Sequence, residues 1–360
     1  MTTTLDLVHD TAPNSGNEVK FFPSLNLAVR YALSPRLSLT LTDTFVRNDS
    51  ANTLDRLGIR QGRQISDTNA LGLAVDWLVG QIATQAYYRN VLFFNEDNGD
   101  AANTQNNQAN SITNIVGVNA ATRIATDYLV RAGYEFSIVN TTNGDNNVNG
   151  GDTTSNTVFA SVSRQLGLYT SGGLQSTYQW QTQDSTNIWN VSVFGAYGLP
   201  NGLTLSGSVG YSMLNSDTEN NDGTVSANVN ASYRFTRAII SVGAFQDFRQ
   251  SAQQGQNFGT VLTRSFFGSF LYQFTPFLNA ILDATYTENE PTGTGNVDNN
   301  GTSKTLTYGA GVNWQALRWL TASLRYSYTK QTGQNTFNQD VAGTGNYAEN
   351  RVTLSLFATF

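Results

Sequence analysis

Ten ionisable residues stand singly among apolar and small neighbours: Arg30, Asp76, Arg89, Arg131, Glu135, Arg234, Asp247, Asp283, Arg325 and Arg351. Each falls in the polar phase of a two-residue alternation, so on strands all ten project to the face opposite the apolar side chains. Mixed charges on one sheet face suit two kinds of chemistry. Lining a water-filled passage, they decide which ions and acidic solutes pass. Paired along or across strands, they brace the wall. Six cations against four anions predict at most a weak preference for anions or acidic sugars. Arg131 and Glu135, on one face of one strand, are candidates for a bracing pair. The aromatics placed inward, Phe22, Tyr87, Phe194, Phe245, Phe267, Phe277 and Phe357, could form a sugar-stacking track or simply pack locally.

Other chemistries fare worse. The sole histidine, His9, sits beside Asp10 with no hydroxyl partner in the pattern, whereas a nucleophilic hydrolase needs one. Carboxylates such as Asp76 and Asp283 belong to different strands. The absence of cysteine removes disulfides and thiolate metal sites. Asp97-Asn98-Gly99-Asp100, Asn143-Gly144-Asp145-Asn146 and Asp298-Asn299-Asn300-Gly301 invite a calcium reading, but none has the full EF-hand loop with its closing Glu. Turn chemistry accounts for them. No catalytic residue, metal or cofactor is expected, and the chain is not read as an enzyme. Eighteen of the 26 Asp and Glu lie in the longer loops as a whole, so the net charge of −6 describes the loops more than the charged face and argues against nucleic acid.

The elements that must hold the charged face are strands. In 203–213, Leu203, Leu205, Val209, Tyr211 and Met213 face one way and Thr204, Ser206, Ser208 and Ser212 the other. The split recurs in 225–235 and 320–328. Short turns fall near Ser34-Pro35-Arg36, Val79-Gly80, Thr122-Arg123, Leu166-Gly167, Leu199-Pro200-Asn201, Thr236-Arg237, Thr275-Pro276 and Gln315-Ala316-Leu317. Longer Asn/Asp/Gly/Thr-rich loops alternate with them, 140–155 and 331–347 being the candidates for infolding. Only 13% of residues are charged, against about 25% in soluble chains. No apolar run approaches the roughly 18 residues of a membrane helix. The polar face carries small uncharged residues and single arginines, with seventeen Arg against three Lys in the chain. Aromatics cluster at both strand ends, as two membrane interfaces require: Tyr31, Trp77, Tyr197, Trp314 and Phe360 toward the turns, Trp180, Trp189 and Tyr328 toward the loops. The expected fold is all-β: one transmembrane antiparallel up-and-down barrel over 1–360, of about eighteen strands, with short periplasmic turns and longer extracellular loops. Residues 1–18 supply a weak first strand and its loop. A barrel of that size leaves an aqueous lumen. An iron-siderophore transporter is disfavoured, since that class has about 22 strands and a plug.

The segment Asn346-Tyr347-Ala348-Glu349-Asn350-Arg351-Val352-Thr353-Leu354-Ser355-Leu356-Phe357-Ala358-Thr359-Phe360 puts apolar residues at even positions and stops on an aromatic. It resembles the C-terminal signal of Gram-negative outer-membrane barrels. Together with Leu320-Thr321-Ala322-Ser323-Leu324-Arg325-Tyr326-Ser327-Tyr328 it is similar to the porin-like barrels found near exopolysaccharide-export gene clusters. That resemblance implies an outer-membrane channel through which a polysaccharide leaves the cell. It implies as partners outer-membrane lipid, the barrel-assembly machinery acting on the closing strand, and periplasmic polysaccharide-export proteins. A general diffusion porin and a structural or adhesive barrel are the alternatives. Met1-Thr2-Thr3-Thr4-Leu5 has neither a basic nor an apolar signal region, so a presequence is taken to have been removed.

Overall fold

The computed structural model describes residues 2–10, 20–48, 65–96, 110–142, 153–182, 185–217, 221–250, 260–292, 302–332 and 347–359. Among them are eighteen strands and no helix. In chain order they are β1 (Thr2–Asp10), β2 (Lys20–Ser34), β3 (Leu37–Asn48), β4 (Ile65–Val79), β5 (Ile82–Glu96), β6 (Asn110–Ala125), β7 (Tyr128–Thr142), β8 (Thr153–Gln165) and β9 (Thr170–Gln181). There follow β10 (Asn187–Gly198), β11 (Leu203–Asn215), β12 (Asp222–Arg234), β13 (Ala238–Gln250), β14 (Thr260–Thr275), β15 (Leu278–Pro291), β16 (Ser303–Leu317), β17 (Leu320–Thr332) and β18 (Tyr347–Thr359).

Every strand from β2 to β17 pairs antiparallel with its predecessor and successor. β1 closes the ring, with Leu5 opposite Pro23 of β2 on one side and Leu356 of β18 on the other. Closure satisfies the backbone of every strand and leaves no edge, the condition for crossing hydrocarbon with strands. The fold is the all-β, up-and-down barrel that alternation predicts.

The two faces differ as the periodicity requires. Tyr31 and Leu39, Leu73 and Tyr88, and Leu174 and Val193 are register pairs on the apolar face. They are widely exposed: Tyr31 63%, Leu174 61%, Val193 60%. So large a continuous apolar surface is not tolerated in water, and its natural surroundings are lipid chains. On the other face, side chains two strands apart meet, which only the concave side of a closed sheet permits.

Two turns come later than their sequence signals. Thr122-Arg123 and Gln315-Ala316-Leu317 continue β6 and β16, and the chain reverses at 126–127 and 318–319. The register shifts just before both reversals, between Arg123 and Ala125 and between Gln315 and Leu317. A bulge there adds one residue and breaks the alternation that marks a strand. Similar shifts precede the turns after β2 and β14. Phe277, expected to point inward, instead occupies the turn at 276–277 and is 59% exposed. The turns after β4 and β10 use Gly80 and Gly202 at φ 62 and φ 95, a conformation side chains resist.

Burial is concentrated toward the loop-side ends of the strands. Phe22, Phe93, Val139, Ile188, Leu214, Phe248, Val261 and Leu262 all lie there, with buried Thr263, Asn289, Gln331 and Glu349. The turn-side half of the wall is more open. The infolding candidates 140–155 and 331–347 fall mostly outside the described residues, as do the three acidic strings.

Candidate functional site

The concave wall is the candidate site, and its charges are held across small residues. Arg30 on β2 donates from Nη2 to Ser38 Oγ on β3 at 3.1 Å, and Ser38 Oγ donates to Asp76 Oδ2 on β4 at 3.3 Å. Arg30 and Asp76 stand 4.0 Å apart over that serine. Gln85 Nε2 on β5 donates to Asp76 Oδ1 at 2.7 Å, and Asn119 Nδ2 on β6 to Gln85 Oε1 at 3.2 Å. One network thus stitches five consecutive strands. Nothing in the spacing of Ser38, Gln85 and Asn119 singled them out; lumen parity was their only signal.

Beyond the closing strands β18 and β1, Arg325 Nη2 on β17 reaches both carboxylate oxygens of Asp283 on β15, at 2.7 and 2.8 Å. Gly309 of β16 lies between them, and a side chain there would meet Arg325 Nη2 at 2.7 Å and Asp283 at 3.1 Å. The glycine is the gap through which the pair forms. Asp247 on β13 accepts from Asn190 Nδ2 on β10 at 3.1 Å and Ser226 Oγ on β12 at 3.0 Å. The Phe248 amide donates to its other oxygen at 2.8 Å.

Glu135 is not Arg131's partner. Its Oε2 accepts the Tyr87 hydroxyl proton from β5 at 2.6 Å, across Gly117 of β6. Four residues along a strand span about 13 Å, so spacing that would pair side chains on a helix separates them here. Arg131, Arg89 and Arg234 are exposed on the lumen face, with no ion pair or hydrogen bond in the described wall. Arg351 lies opposite Ser327 and is not a free cation. Glu349, buried two residues before it, and Arg249 are further lumen charges that parity near a strand end could have revealed.

Most of the inward aromatics are laid against the wall. Tyr87, Phe159, Phe194 and Phe267 are register partners of Gly117, Gly133, Gly173 and Gly243, and each ring covers the space a side chain on that glycine would take. Arg249 stacks over Phe245 at 4.1 Å, and Phe22 is buried. Phe357 remains 39% exposed. Of the interfacial aromatics, Tyr31, Trp77, Tyr197 and Trp314 lie outward near the turns, and Trp180 and Trp189 outward near the loops. Tyr328 packs on Tyr308 at 4.9 Å, and Phe360 lies outside the described residues. Trp319, in the turn after β16, is a further exposed aromatic at that rim. His9 is opposite Val352, and Asp10 opposite Arg351.

No family model matches this sequence, and no curated protein does. Solved structures do. OccK1 (OpdK) of Pseudomonas aeruginosa is similar over 100% of this chain and 97% of its own, at 12% identity and TM-score 0.55. OpdL of the same bacterium is similar over 99% of this chain and 97% of its own, also at 12% identity and TM-score 0.55. The FrpB iron transporter of Neisseria meningitidis is similar over 92% of this chain at 11% identity and TM-score 0.52; the chain spans 62% of that transporter's length. At such identities the likeness is one of fold, that of an outer-membrane β-barrel.

Proposed function

We propose that this chain is a passive channel of the bacterial outer membrane for small hydrophilic solutes, with a mild preference for anions. One observation carries the reading: a closed eighteen-stranded ring has an apolar convex face and a polar concave one. Barrels of that strand number enclose water. The mechanism needs no reaction step. Hydroxyls and amides replace part of a solute's hydration while the outer face satisfies lipid. The anion preference follows from the engaged charges. Asp76 and Asp283 face arginines, and Glu135 and Asp247 accept hydrogen bonds, whereas Arg89, Arg131 and Arg234 stand free among the described residues.

Purified protein in planar bilayers should give discrete conductance steps, with a reversal potential in a salt gradient on the chloride side of zero. A barrel that inserts but passes no current would overturn the proposal in favour of a structural or adhesive role.

Passage of an exported polysaccharide is the second reading. The closing segment's resemblance favours it, and so does a lumen face without ionisable side chains over β8–β11. In this reading periplasmic export proteins meet the turn-side mouth and assembly machinery engages β18. Loss of surface polysaccharide on deletion of the gene, restored by the wild-type copy, separates it from general diffusion.

A further inference from the structure

Resting on the channel reading, we infer that the lumen face of β8–β11 holds a binding platform for a neutral sugar ring, centred on Phe194 and Gln175. Four consecutive strands present no ionisable side chain inward. Register places Ser161, Ser163, Gln175, Thr177, Gln179, Asn190, Ser206 and Ser208 there, with Phe159 and Phe194 among them. At about 4.8 Å per strand the charge-free surface is roughly 19 Å wide, room for several sugar rings side by side.

Within it, one place has the parts a pyranose needs. Phe194 of β10 is laid over Gly173 of β9, its ring part-buried against the wall instead of standing across the lumen. Ring C–H faces of sugars pack on such a surface, an apolar contact that tolerates wet surroundings. Gln175 follows Gly173 by two residues on the same face and has no hydrogen bond in the wall. Its amide carries two donors and an acceptor, matching the mixed donor and acceptor character of vicinal hydroxyls. Its register partner Ser192 is 3% exposed, and the Ser192 hydroxyl is without a partner. On the other side of Phe194 the same register line runs through Ser208 to Asn228, which is exposed. The four strands contribute no charged side chain of their own to this face; Asp247 reaches its β10 edge through Asn190, and Arg131 stands opposite Ser161 at its β8 edge. An uncharged polyol loses little water that the amides and hydroxyls do not replace.

The position is also accessible. Phe194 and Gln175 belong to the open turn-side half of the wall, below the buried band at the loop side. A solute rising from the turn-side mouth meets the platform first.

The test is calorimetric titration of detergent-solubilised full-length protein with maltohexaose, alongside current block by the same sugar in bilayers. Phe194→Ala should weaken binding about tenfold and Gln175→Ala about threefold to fivefold. Phe194→Trp, keeping a ring at the same place, should retain it. Folding of each variant is checked by its heat-modifiable mobility. Equal affinity in the wild type and both alanine variants, or no binding by the wild type, overturns the inference. Titration reads binding without current, so a barrel that binds but does not conduct removes only the channel reading. One that conducts but does not bind removes only the platform.

Discussion

Over β2–β7 and β15–β18 the lumen face carries arginines and carboxylates bridged across serine or glycine; over β8–β11 it carries hydroxyls, amides and two rings. Both stretches are polar and both face the same interior, yet they are held differently. In the charged stretch the strand between two partners contributes a small residue, and the bridge passes over it. In the neutral stretch the glycines serve the backbone. A side chain at Gly173 or Gly210 would fall within contact of the Val162 or Val191 carbonyl oxygen, whereas at Gly117 or Gly309 it would meet the end of Tyr87 or Arg325. Charge keeps the first wall together and leaves surplus cations; close backbone packing keeps the second together and leaves surplus hydrogen-bonding capacity.

The largest test of that contrast is a pair of glycine substitutions. Gly210→Ala forces a backbone shift and should cost about 3 kcal/mol, while Gly309→Ala displaces a flexible guanidinium and should cost about 1 kcal/mol. Urea unfolding of the protein in lipid vesicles measures both. Equal losses would erase the distinction between the two stretches.

Next comes Asp283→Asn. The Arg325 side chain is 41% exposed, so solvent screens it and the lost ion pair is worth about 1 kcal/mol. The larger sign is electrical: Arg325 joins the free cations, and anion preference rises. A reversal potential moving toward the cation side would mean that Asp283 was not neutralising it.

Much of this architecture was legible as alternation. Asp283 and Arg325 could be placed on the lumen face because Leu282, Ala284, Leu324 and Tyr326 flank them, and Trp77 outward because Asp76 precedes it. Alternation failed where bulges interrupt it, as at Arg123 and Gln315, and it is silent about partners. Glu135 meets Tyr87 because Gly117 leaves a gap on the strand between them. That depends on the register of three strands separated by loops, and no local spacing encodes it. The same limit hid the rings laid over glycines, since a ring and its glycine lie on different strands.

Tyr87→Phe follows in size. It removes one hydrogen bond to a carboxylate, about 1 kcal/mol at a part-buried position. Glu135 then loses its donor and is left as a part-buried anion on the lumen face, so anion preference falls. It moves selectivity opposite to Asp283→Asn although it changes no charge, and the absence of any shift would show that lumen charges act only through their sum.

The smallest expected effect discriminates most cleanly between the two stretches. Gln179 Nε2 donates to Ser155 Oγ on β8 at 3.0 Å, a neutral bond in water's reach. Gln179→Ala should lose about 0.5 kcal/mol and leave the reversal potential where it was, because no charge changes. Arg89→Gln has the opposite signature. Its side chain makes no bond in the wall, so stability should stay within about 0.5 kcal/mol while anion preference drops. If each variant moved both observables, the lumen would be one coupled surface. If they separate, stability on the neutral side is set by bonds between adjacent strands, and selectivity on the charged side by cations that brace nothing.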